Sequence, residues 1–208
     1  MTDEELIAAF EPAMLGLLPA EGQPVHAESL LALCLADGLL EVMQWAKEGT
    51  GADPAASMWL GALRWHRLIT GAFPAGAPEP VARPTDHALG LILSSGGAEI
   101  VPGSAESSLA GLASGAMGTR AEPAQPEAQE DAALTRVLPI SLAPYVDDQL
   151  RQDWAEEAIC LTHGHPQLRE EARRRATLRP APEEAGPRHQ LLGVVVEDLV
   201  KRWKAATT

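Results

Sequence analysis

Residues 25–41 constrain this chain more than any other stretch. Leu30, Leu31, Leu33, Leu35, Leu39 and Leu40 are interleaved with Ala32, Cys34 and Ala36, so the segment is apolar on nearly every side. Glu28, Ser29, Asp37 and Glu41 interrupt it. A helix that is hydrophobic all round belongs in the middle of a domain rather than on its surface. Glu28 and Ser29 put a negative charge and a hydroxyl at its start, where unpaired N–H groups need partners. The rest of the chain is expected to pack around this helix.

At 208 residues the chain suits one domain, or one and a short appendage, and is long enough to bury a real core. An apolar content of 46% argues against wholesale disorder. A net charge of -13 argues against nucleic acid and against anionic membrane surfaces, because both require a basic face. Cys34 and Cys160 sit in apolar helical contexts and read as buried thiols rather than a disulfide framework. The acidic start, Thr2-Asp3-Glu4-Glu5, is the opposite of a signal peptide, and the run from Leu30 to Ala36 is far short of the ~20 apolar residues of a spanning helix. The expected location is intracellular, in the cytoplasm.

Helix signals punctuate the whole chain. Thr2 caps a first helix with Leu6, Ile7 and Phe10 facing inward, and Pro12 is expected to break or kink it. Gly49-Thr50-Gly51 ends the central helix, and Asp53-Pro54 pairs an N-cap with a first-turn proline. Met58, Trp59, Leu63, Trp65, Leu68 and Ile69 then recur at helical spacing. Prolines 74, 78, 80 and 84 mark a loop, Thr85-Asp86 caps a short helix, and another is expected over residues 105–114. Residues 121–128, with two prolines and two glutamates, read as a mobile acidic connector. Asp147-Asp148 opens a helix that ends at Thr162-His163-Gly164-His165-Pro166, and residues 169–179 form a basic helix whose arginines can pair with Glu170 and Glu171. The expected organisation is a helical domain over residues 1–178, a linker over 179–188 and a C-terminal amphipathic helix over 189–205. Leu192, Val195, Val196, Leu199 and Trp203 form one stripe of that last helix. The stripe is expected to fold back over the central helices or to cover the same face of a second copy.

Several of these segments resemble the ADP-ribosylglycohydrolase family, in the family's order. Ala13-Met14-Leu15-Gly16-Leu17-Leu18 is similar to the family's opening helix, and Trp59-Leu60-Gly61-Ala62-Leu63-Arg64-Trp65 to its aromatic Leu-Arg-Trp helix. Ser107-Ser108-Leu109, followed by Gly115-Ala116-Met117-Gly118-Thr119, closely resembles a Thr-Thr-Leu…Gly…Met-Gly-Thr stretch of bacterial members. Arg136-Val137-Leu138-Pro139 keeps an Arg-Val-x-Pro core, and Thr162-His163-Gly164-His165-Pro166 is similar to a Thr-His-x-x-Pro turn. The resemblance implies an all-α, compact multi-helix domain, here C-terminally shortened. It also implies a magnesium-dependent hydrolase that cleaves ADP-ribose from protein side chains.

The chemistry of the resemblance is thinner than its scaffold. Where the family opens its central helix with a metal-binding Thr-Asp-Asp-Thr motif, this chain has His26, Ala27, Glu28 and Ser29. Where the family has ligand-approaching glycines, it has Glu130-Asp131-Ala132-Ala133. No second cluster of aspartates follows Pro166, so the expectation is no bound metal. Three functions remain in view: a degenerate member that binds a protein, such as an ADP-ribosylated one or an ADP-ribosyltransferase; a hydrolase of glycosidic linkages acting through Glu28 with His26 or Asp131; and a subunit completed by a separate chain. The candidate catalytic residues are Glu28 and Asp131, and the candidate ligand-binding residues, for an ADP-ribose-like molecule, are His26, Ser29, Arg136 and His163. His163 is more readily a corner-pinning residue than a ligand.

Overall fold

A computed structural model describes residues 2–178 and 188–207 of the chain. Its centre is α2, Ala27–Lys47, in which every residue from 27 to 40 is buried. The helix is long and apolar enough to span a bilayer. Other helices cover it instead, as an all-round apolar helix requires.

Nine α-helices and one 3₁₀ helix account for the regular structure among the described residues. α1 is Asp3–Gly16, α3 Pro54–Thr70, α4 Pro84–Ser94 and α5 Glu106–Leu112. A 3₁₀ helix, Asp131–Arg136, runs directly into α6, Val137–Ser141; α7, Asp148–Cys160, α8, Pro166–Arg175, and α9, Gln190–Thr207, complete the chain. A single parallel bridge between Val25 and Ile100 holds the entry to α2.

Local sequence sets most of these boundaries. Thr2 and Glu5 form a capping box on α1, Asp53 caps α3 with Pro54 in the first turn, and Asp147 caps α7 by accepting from the Leu150 amide. α1 runs through Pro12 without ending there. Pro12 and Ala8, whose carbonyl loses its partner, both lie on the exposed face, where water can replace the missing bond. α4 begins two residues earlier than a Thr85 cap would place it, with Asp86 accepting from the Arg83 amide at 2.7 Å.

α2 and α3 pack closely enough to require glycine at two points. A Cβ on Gly38 would sit 2.6 Å from the Ser57 carbonyl oxygen, and one on Gly61 would sit 2.6 Å from that of Cys34. Trp65 locks the same pair by donating its indole N–H to the Ala27 carbonyl at 3.0 Å. The contacts 38 with 57, 34 with 61 and 27 with 65 make the two helices antiparallel.

α9 lies against α1, α2 and α4. Leu192, Val195, Val196, Leu199, Val200 and Trp203 are buried there, and the Trp203 ring stacks on Phe10 with centroids 3.9 Å apart. Arg202, beside Trp203, reaches Asp37 of α2 at 2.8 Å and the Thr85 hydroxyl at 2.9 Å. On its outer side Leu191 and Val194 stay exposed. Of the expected linker, residues 179–187 lie outside the described residues. Residues 121–128, expected to be mobile, are tied down: the Gln125 amide donates to the carbonyls of Ser107 at 2.9 Å and Thr162 at 2.7 Å.

Candidate functional site: a sealed carboxylate at the start of the central helix

His26 caps α2, its Nδ1 accepting from the Glu28 amide at 3.2 Å. That cap turns Glu28 into the first helical turn, pointing into the domain with only 3% of its surface exposed. A carboxylate so buried needs compensation for its lost hydration. Arg136, at the junction of the 3₁₀ helix and α6, supplies it through an Nη2–Oε2 contact of 2.6 Å. The Ser108 hydroxyl of α5 donates to the other oxygen, Oε1, and itself accepts from Arg136 Nη2 at 2.8 Å.

The network continues toward the surface. Arg136 Nη1 donates to the Thr162 hydroxyl at 2.6 Å, and that hydroxyl lies 2.7 Å from His163 Nδ1. His163 Nε2 lies 3.0 Å from the Ser107 hydroxyl and 3.2 Å from Glu130, whose side chain is more than half exposed. Placing the His163 proton on Nε2, facing Glu130, leaves Nδ1 to accept from Thr162 and satisfies both nitrogens. Burial, then the nearby Arg136 charge, lowers the His163 pKa to about 4, against the pull of Glu28 and Glu130. The ring is therefore neutral at pH 7.

Of the residues singled out in the sequence, Glu28, Arg136 and His163 share this network. His26 joins it only through the helix cap. Ser29 is buried one residue further along α2. Asp131 is exposed and lines a small hollow with Gln129, Gln167, Leu168 and Glu171. The two candidate catalytic carboxylates thus do not converge on an open pocket. Ser107, Ser108, Thr162 and Glu130 belong to the network without having been singled out as site residues. The motifs around them were the available signal, since Ser107-Ser108-Leu109 and Thr162-His163 both lie in segments with a family resemblance.

The family model for ADP-ribosylglycohydrolase matches residues 3–179. The chain belongs to the ADP-ribosylglycohydrolase family. The match spans α1 to α8 and the whole network around Glu28, and the family's all-α fold agrees with the helices described here. Searches of curated proteins and of solved structures returned no match.

Within this ADP-ribosylglycohydrolase scaffold, both cysteines are buried and unpaired, and burial raises both thiols well above the usual range. Neither is poised as a nucleophile.

Proposed function

We propose that this member of the ADP-ribosylglycohydrolase family has lost its dinuclear metal site and acts as a non-catalytic binding or regulatory protein. One observation carries the reading: the Glu28 carboxylate is already bound by the Arg136 guanidinium, 2.6 Å away and fully buried. A magnesium ion needs several oxygen ligands at octahedral geometry. The network around Glu28 holds a guanidinium, three hydroxyls, an imidazole and, at its outer end, the Glu130 carboxylate, and the fixed positive charge beside Glu28 repels a cation. No group of three or more His, Cys, Asp or Glu side chains able to hold a metal occurs among the described residues. These donors do not fit the family's metal pair.

The acid–base alternative receives no support from the geometry either. Two carboxylates that hydrolyse a glycosidic bond must flank it together. Glu28 is sealed inside, whereas Asp131 faces solvent. A general acid or base must also reach its substrate.

The proposed partner is a protein. Because α9 commits its apolar stripe to the domain, what it offers a partner or a second copy is the outer edge at Leu191 and Val194. The test is direct. Purified protein, with magnesium, is expected to release no ADP-ribose from modified arginine or serine, and calorimetry is expected to detect no micromolar magnesium binding. Turnover abolished by Glu28→Gln or Asp131→Asn, or magnesium binding lost in Glu28→Ala, would falsify the proposal.

A further inference from the structure

A second cluster of charge lies between α3 and α4, away from Glu28. There Arg64, Arg67, Leu68, Asp86, Gly90 and Leu91 contribute to a cleft of about 270 Å³. Arg64 is 3% exposed, and its Nη2 is buried without a hydrogen-bond partner. Its nearest carboxylate contact is Nε to Asp86 at 3.5 Å. Arg67 reaches the same carboxylate at 3.1 Å, with a third of its side chain still exposed, and lies over the Phe73 ring at 4.8 Å. Asp86 is further engaged by the Arg83 amide at 2.7 Å. Arg83 itself is turned away, onto Asp37 and Glu41.

Two guanidiniums therefore share one carboxylate beside an open cleft, leaving a local charge of +1 in a protein of net charge -13. A buried guanidinium hydrogen without an acceptor is unfavourable, and a forked donor pair matches the oxygens of phosphate or carboxylate. The cleft's walls are different in kind. Leu68 and the largely exposed Leu91 are apolar, and Gly90, having no side chain, leaves the space between them empty. A Cβ on Gly90 would meet only the Leu68 Cδ1 atom, at 3.6 Å, so nothing in the packing demands glycine there.

From these features we infer that the α3–α4 cleft binds a small organic anion, its phosphate or carboxylate against the exposed Arg67 guanidinium with the charge of buried Arg64 behind it, and its apolar part against Leu68 and Leu91. The inference is independent of whether the Glu28 site is catalytic.

The test uses the full chain and three probes: inorganic phosphate, phenyl phosphate and benzoate, each titrated at constant ionic strength by thermal shift and calorimetry. Saturable binding of at least one aromatic probe is expected. The phenyl group should tighten phosphate binding about tenfold, which is what burying roughly 60 Å² of apolar surface supplies. The stronger of phenyl phosphate and benzoate identifies the anionic group. Arg67→Gln removes the exposed guanidinium, and Gly90→Leu fills the cleft while favouring the helix. Both variants are expected to keep the wild-type circular dichroism spectrum and to weaken binding at least tenfold. Absence of saturable binding by every probe overturns the inference. So does binding unchanged in either variant, since the anion would then lie outside the cleft or be held without the arginine.

Discussion

Two carboxylates on one helix, about two and a half turns apart, are neutralised in opposite ways. Glu28 is paired with an arginine that is completely buried, and every partner comes from within the family-matched stretch. Asp37 is held by two partly exposed arginines, Arg83 and Arg202, and Arg202 comes from α9, beyond residues 3–179. The first cluster buries a carboxylate at the start of the central helix. The second fastens the last helix to the core. Burial alone would raise the Asp37 pKa, but the two arginines outweigh it and hold the carboxyl below its usual range. A sealed pair has no water to replace a lost partner, whereas a half-open triad does. The two clusters should therefore respond differently to the same kind of injury.

The largest expected effect is at the sealed pair. Arg136→Leu leaves Glu28 buried without its counter-charge and should cost about 3–5 kcal/mol in urea denaturation. The double variant Glu28→Leu/Arg136→Met should recover much of that loss, because an apolar pair of similar volume needs no compensation. A loss below about 1 kcal/mol for Arg136→Leu would mean that water reaches the pair and that the site is not sealed.

The next effect separates the clusters by pH. His163 has an ordinary pKa of 6.5 when unfolded and about 4 in the folded protein. Below 6.5 the unfolded chain takes up a proton that the folded protein refuses, so this contribution is complete above 6.5 and is lost as pH falls toward 4. Its ceiling is about 3 kcal/mol. Asp37, with its pKa depressed, loses its contribution only below the ordinary aspartate value of 3.8. Stability measured from pH 8 to pH 4 should therefore decline through the Glu28 cluster, and His163→Gln should flatten the curve between 6.5 and 4. An unchanged slope in that variant would assign the decline to other groups.

The smallest effect is at the open triad. Arg202→Gln leaves Asp37 with Arg83 and the Thr85 amide, so the expected loss is about 1–2 kcal/mol. Salt should reduce that loss while leaving the Arg136→Leu loss nearly unchanged, because screening acts on exposed charges. Equal salt dependence in both variants would remove the distinction between the clusters.

The sequence by itself determined the helices and the identity of the core. Thr2, Asp53, Pro54, Asp147 and Pro166 mark helix starts through hydrogen bonds or ring geometry that span at most a few residues. The all-round apolar character of residues 30–40 fixed α2 as the centre, and the stripe ending in Trp203 fixed the buried face of α9. The ordered motifs that resemble the family also carried the fold, and they contained Arg136, Ser108 and Thr162. What they could not give is that Arg136 meets Glu28, 108 residues away, or that Arg202 meets Asp37 across 165. Periodicity records which face of a helix is buried, but not which charge lies opposite once helices pack. The same limit applies to Pro12, whose tolerance depends on α1 turning that face to water, and to residues 121–128, whose composition suggested mobility until Gln125 found two carbonyls. Local interactions are written within a turn of helix. Whether a carboxylate becomes a ligand or half of a buried ion pair is decided by what the tertiary fold brings against it.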